Sequence, residues 1–362
     1  MNTRARLWFV AGVIWLALCA PAAEAQGVRA KRDSSAQDSA TAGKRVKRMP
    51  AISGYVQVFY KGRRDADGSG STEPSVFRVQ RVRIELRGDV TPHIGYDVEI
   101  DPRAPDVTGI LRDAFITLDY LPKHEIRIGQ QKTLFGYENP TSSTRLFVVN
   151  RAEVSDNLSR GVTLRDIGVG VIGSIPINDR FRLEDAVTVV NGSGMNVQAD
   201  STARKNVWGR LGVRYRSAAK DFTVHLGVSG ASGDQHEPID SGPPAVPAFT
   251  RTFTRFGTDL EIDHPLGFLA AEFVSTNDKA PKILGDVAGG AEGYYVLFAG
   301  KTRWKVGPIV RWDVFDEFRR LTGGAYIGRP SDDVSLLLNY EVFRDDAGKH
   351  DDRYYARLQI RL

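Results

Sequence analysis

Arginine recurs at alternate positions in several stretches of this 362-residue chain. Arg81, Arg83 and Arg87 share one parity of "RVRIELRG" with Glu85, opposite Val82, Ile84 and Leu86. Arg210, Arg214 and Arg216 do the same in "WGRLGVRYR", opposite Leu211, Val213 and Tyr215. A further group, Arg145, Arg151, Arg160 and Arg165, falls within residues 135–165, a segment without a clean strand period. A guanidinium is permanently charged and offers planar, paired donors that match phosphate and carboxylate oxygens. Rows of this residue type point to the guidance of anions, since several weak sites in succession let an ion enter without trapping it.

Acids share the same faces. Asp97, Glu99 and Asp101 alternate with Tyr96, Val98 and Ile100, while Asp113 and Asp119 stand opposite Ala114, Ile116 and Leu118. Asp259 and Glu261 accompany Arg255 in "FTRFGTDLEI". The arginine rows could therefore line an anion path or be balanced by ion pairs in a weakly selective pore. At this level both readings stay open.

Bond-making chemistry finds little footing. The six histidines (93, 124, 225, 236, 264 and 350) follow no metal-ligand spacing, and Cys19 is the single cysteine. "DADGSG" at 65–70 begins like a calcium loop but lacks its later acids. "NGSG" at 191–194 reads as a hairpin turn, and no G-x-S-x-G nucleophile turn occurs. A barrel-bound lipid hydrolase would need a serine and a histidine at the rim, and His93 and His264 instead lie beside prolines in expected turns. The expectation is a chain without catalytic residues, cofactor, metal or nucleic-acid partner.

The residues that carry the arginines must be positioned by strands. From Ile52 onward the pattern is period two, in sixteen segments starting near residues 54, 77, 93, 109, 124, 166, 181, 207, 221, 251, 267, 293, 304, 319, 333 and 352. Tight joints such as "TPHIG" (91–95), "LPKHE" (121–125) and "PINDR" (176–180) alternate with long loops such as 62–75 and 230–249. No run of about twenty apolar residues follows the first segment, so no helix is expected to span a bilayer. An all-β, up-and-down transmembrane barrel satisfies these features, with grease on one strand face and charge on the other. Aromatics near strand ends (Tyr55, Tyr60, Tyr120, Tyr215, Trp304, Trp312, Tyr340 and Tyr354) are read as interfacial girdles. In the terminal "RYYARLQIRL", Tyr354, Ala356, Leu358, Ile360 and Leu362 should meet lipid, and Arg353, Arg357, Gln359 and Arg361 a wet lumen. A shift of parity between Gln80 and Val82 predicts a bulge near Val79–Gln80.

Ahead of the strands, Arg4 and Arg6 precede "LWFVAGVIWLALCA" and the cleavage box Ala23-Glu24-Ala25, a secretory signal cut after Ala25. Leu18 before Cys19 fits lipid attachment poorly. Residues 26–50 hold seven lysines and arginines against two aspartates and read as a disordered basic periplasmic tail. That tail carries the positive charge of the chain, because residues 51–362 sum to −1.

Residues 77–175 resemble the phosphate-selective porin O/P family. The matching stretches are "RVQRVRIELRG" (78–88), "LRDAFITLDY" (111–120), "IRIGQQKTLFGYE" (126–138) and "NRAEVSDNLSRGVTLRDIGVGVIG" (150–173). Leu134 departs from the proline common at that place, and Leu362 from the usual terminal aromatic. The resemblance implies an outer-membrane barrel of sixteen strands, commonly a homotrimer, in contact with lipid and lipopolysaccharide. It also implies a long loop, here 135–165, folded inward to narrow the pore. Passage of phosphate or similar small anions would be governed by lumenal arginines. A general diffusion pore and a plugged structural or adhesive barrel remain as alternatives.

Overall fold

In hydrocarbon every backbone N–H and C=O must find a partner within the protein, and a closed sheet provides one for each. The computed structural model describes residues 50–64, 75–104, 109–159, 164–198, 200, 204–237, 249–279, 288–344 and 350–362. Its strands are β1 (Ala51–Arg64), β2 (Val76–Thr91), β3 (Ile94–Ile100), β4 (Leu111–Leu121), β5 (His124–Lys132) and β6 (Arg165–Pro176). They continue as β7 (Phe181–Val190), β8 (Asn206–Arg216), β9 (Thr223–Glu237), β10 (Phe249–His264) and β11 (Gly267–Lys279). The last five are β12 (Ala288–Gly300), β13 (Val306–Phe315), β14 (Phe318–Ile327), β15 (Val334–Arg344) and β16 (His350–Arg361). Each strand pairs antiparallel with its chain neighbours, and β16 closes on β1 to complete the barrel. All sixteen begin within five residues of the position that alternation predicts.

The faces follow the pleat. On β16, Leu358 and Ile360 are 45% and 46% exposed on the outer side, while Arg357 and Gln359 on the inner side are 0% exposed. Leu211 and Val213 of β8 are exposed on the outer side, and Arg210, Arg214 and Arg216 have the opposite parity. The predicted bulge is present: Gln57 pairs with Arg81 but Val58 with Val79, so Gln80 is the extra residue of β2. One aromatic is corrected. Tyr55 shares the inward parity of Gln57, and its hydroxyl hydrogen-bonds Ser143 Oγ at 3.0 Å, so it belongs to the lumen and not to a lipid girdle.

Joints at residues 92–93, 122–123, 177–180, 217–222, 265–266, 301–305 and 328–333 all lie at one end of the barrel. Lys123 adopts the left-handed conformation (φ 65°) that its two-residue turn requires. Connections at the other end are mostly longer, and that between β5 and β6 is residues 133–164. It holds the short helix α1 (Glu153–Asn157). Sixteen strands enclose a lumen too wide for wall side chains alone to fill. This connection folds into it.

Candidate functional site

A segment inside a barrel has no neighbouring strand for its backbone, so side chains must satisfy its polar groups. The wall supplies them. Ser229 accepts from Gly136 N (3.0 Å), Asn339 Oδ1 from Val149 N (2.8 Å), and Glu272 Oε2 from Tyr137 N and Glu138 N (3.1 Å each). Arg255 donates to Leu158 O (2.7 Å), Arg311 to Asn150 O (2.8 Å) and Arg357 to Leu146 O (3.3 Å). The partners lie on β9, β10, β11, β13, β15 and β16, so the loop is fastened along that half of the wall. Apolar packing does the rest. Phe135 meets Trp208 edge-on at 5.8 Å, and Phe147 lies 5.2 Å from Phe268 and 5.4 Å from Tyr326. Phe135, Val148, Ala152 and Val154 are fully buried, each large side chain worth about 1.5–3 kcal/mol.

Gly136 shows why the local sequence matters. Its φ is +65°, and a Cβ there would collide with the Glu272 carboxylate, so glycine alone fits. Burial also acts on titratable groups of the loop. It pushes the Tyr137 hydroxyl well above its ordinary value. It raises the Glu153 carboxyl too, against the pull of Arg320 at 3.0 Å.

The arginines singled out by the sequence divide into those with acids and those without. Arg83 lies 3.6 Å from Glu99 and 3.5 Å from Asp101, and Arg87 lies 2.5 Å from Asp97 and 2.7 Å from Glu85. Arg165 holds Asp113 in a two-pronged contact (2.5 and 2.9 Å) and reaches Glu99 at 2.9 Å. Although it was grouped with the loop, it is the first residue of β6. Arg210 pairs with Asp259 (2.5 Å), and Arg214 with Glu184 (2.9 Å) and Glu261 (3.7 Å). Apart from Glu184, the carboxylates that hold these five are ones the sequence placed on strand faces with the arginines.

The second set is different. Arg81 donates to Gln57 Oε1 at 3.0 Å. Arg151 donates to the carbonyls of Glu138 and Thr141, the latter at 2.8 Å. Arg145 has a buried Nε without a hydrogen-bond partner. Arg216 is inward at the short-turn end of β8. Among the described residues none of these four forms an ion pair. Arg160 lies outside the described residues.

Sequence reasoning placed one further residue on the lumenal face without counting it among the anion-site candidates. Arg357 of β16 is fully buried, and its Nε and Nη1 have no hydrogen-bond partner. The ionisable groups that act on it are Arg81, Tyr55 and Arg151, with no carboxylate among them. Arg81 in turn feels Tyr55, Arg151, Arg83 and, least of all, Asp156 of α1. Arg81 and Arg357 thus belong to one seam, where β16 closes on β1 and β1 pairs β2, and Arg151 reaches it from the loop. Lys61, Arg63, Arg78 and Arg353 extend the inward cationic row toward the long-loop end. The signal was available: a barrel must join its last strand to its first, which leaves only β1 between the arginine face of "RYYARLQIRL" and that of "RVRIELRG".

The sequence matches the phosphate-selective porin O and P family over residues 51–239. A search of curated proteins finds no match. Among solved structures, OmpT of Vibrio cholerae, an outer membrane protein in its trimer form, shares 10% identity over 87% of this chain and 99% of its own, with a TM-score of 0.57. The anion-selective porin of Comamonas acidovorans shares 14% over 87% and 99%, with a TM-score of 0.57. The outer membrane channel DcaP of Acinetobacter baumannii shares 14% over 86% and 97%, with a TM-score of 0.52. At such identities these three speak for the fold.

Proposed function

Since the chain belongs to the phosphate-selective porin O and P family, we propose that it is a bacterial outer-membrane porin through which small hydrophilic solutes diffuse passively, with a bias toward anions. The observation that carries the bias is the seam of Arg81, Arg151 and Arg357, three guanidiniums without a carboxylate partner. A permanent positive potential in a narrow lumen raises the local concentration of anions and repels cations. Arg81 and Arg151 are half-buried and keep donors within reach of the lumen, whereas Arg357 adds charge from behind the loop. No bond chemistry is required: loop 133–164 sets the width and the arginines set the sign. Phosphate or a similar oxyanion suits the forked donors.

A second reading has its own support. Arg83, Arg87, Arg165, Arg210 and Arg214 are all paired with acids, so most of the lumen is charge-balanced and could act as a general diffusion pore. The remaining assignments follow the sequence: export by a signal cut after Ala25, a basic periplasmic tail at 26–50, a homotrimer, and contact with outer-membrane lipid and lipopolysaccharide. The test is single-channel conductance of the purified protein in a planar bilayer, with inorganic phosphate added stepwise to KCl. Current that phosphate blocks at low concentration supports the seam as a binding site. Full conductance without block favours the general pore, and silence at all voltages indicates a plugged barrel.

A further inference from the structure

Both legs of the loop converge on one buried carboxylate. Glu272 of β11 is 2% exposed. Its Oε2 accepts from Tyr137 N and Glu138 N at 3.1 Å on the leg leaving β5. Its Oε1 accepts from the Ser159 hydroxyl at 2.7 Å on the leg returning to β6. All three donors are neutral, and no cation pairs with Glu272 among the described residues. Its surroundings are acidic. On one side it pairs in register with Asp259 of β10, which is held by Arg210 of β8 at 2.5 Å and lies 3.8 Å from His225 of β9. On the other it pairs with Tyr295 of β12. From the loop, Glu138 adds a third carboxylate, 3.7 Å from Arg311 of β13.

We infer that Glu272 is a proton-sensitive latch that fastens the lumenal loop to the wall. The inference rests on the reading of that loop as the element that sets the pore. A carboxylate that takes three hydrogen bonds is a stronger acceptor charged than neutral, so uptake of one proton weakens all three bonds together. No other single group among the described residues bonds both ends of the loop. Arg210, which donates to Gly136 O at 3.1 Å, depends on the same neighbour, Asp259, for its position. Acidification should therefore loosen the Gly136–Glu138 and Ser159 contacts together and free Phe135 from Trp208.

The test reads Trp208, which is 1% exposed under Phe135, in the exported chain with Trp304 and Trp312 changed to phenylalanine. Acrylamide quenching is followed from about pH 7.5 to about pH 4.5, alongside bilayer current. In the parent protein quenching should rise by at least about twofold on acidification, as weakened bonds release the loop and uncover Trp208. Glu272→Gln should be quenchable already at neutral pH and indifferent to acid. Ser159→Ala, a milder change, should move the transition to higher pH by removing a donor that favours the charged carboxylate. An acid response left unchanged by both substitutions overturns the latch. A response lost in Glu272→Gln while the barrel carries no current at any pH upholds the latch and overturns the pore reading.

Discussion

From β2 to β4 and β6, arginine meets carboxylate at each step: Arg83 with Glu99 and Asp101, Arg87 with Asp97, Arg165 with Asp113 and Glu99. At the seam where β16 closes on β1, Arg81, Arg151 and Arg357 meet none among the described residues and are left with an amide and three loop carbonyls. Both regions look alike in sequence, a row of arginines on one parity. The difference lies in what the neighbouring strand and the loop bring. β3 brings Asp97 and Glu99, with Asp101 just beyond its end, whereas β1 brings Gln57, Phe59 and Lys61. Charge in a lumen is thus a property of pairs of strands, and a balanced wall and an anion-attracting seam can share one barrel.

The sharpest way to separate the regions is by stability. Arg165→Met would leave Asp113 without its partner and Glu99 with Arg83 alone, and unfolding in urea should show a loss of about 3–5 kcal/mol. Next in size is the seam as a ligand site. Arg81→Ala with Arg151→Ala removes two charged donors, so phosphate block of the current should weaken by about tenfold or more. The matched control, Arg214→Ala, touches an arginine already held by Glu184 and Glu261, and its effect on block should stay within about twofold. Arg357→Met reverses the sign seen at Arg165. Deleting a buried, acid-free charge should raise stability by about 1–2 kcal/mol while weakening the block. A loss of stability there would show that Arg357 has a partner the seam account omits.

The smallest effect concerns pH. Burial raises Glu153 above its ordinary value of 4.5, so its contribution to stability is present below that value and is lost as pH rises through the raised one. Glu153→Gln should flatten that part of the stability profile, by less than about 1 kcal/mol in urea unfolding.

The strands were legible because lipid outside and water inside impose alternation, and alternation locates strand starts closely even where hydropathy is weak. The bulge at Gln80 was legible for the same reason. Which residues face inward was therefore plain, and Arg210, Arg214 and Arg216 lie where parity put them. Partners were not legible. Parity says nothing about register, so the pairing of Arg165 with Asp113, 52 positions apart, could not be read. Nor could the seating of the loop, which depends on single wall residues such as Ser229, Asn339 and Glu272 meeting its backbone. Tyr55 was misread because a tyrosine near a strand end suits either the membrane interface or a loop hydroxyl, and only its parity with Gln57 decides.

The central claim is that the acid-free seam gives the lumen its sign. Its most direct test is the zero-current potential of the purified protein in a planar bilayer between two KCl solutions of unequal concentration. The account predicts a potential on the chloride side of zero, moving toward zero when Arg81 and Arg151 are replaced by alanine. A potassium-side potential in the unaltered protein would contradict it.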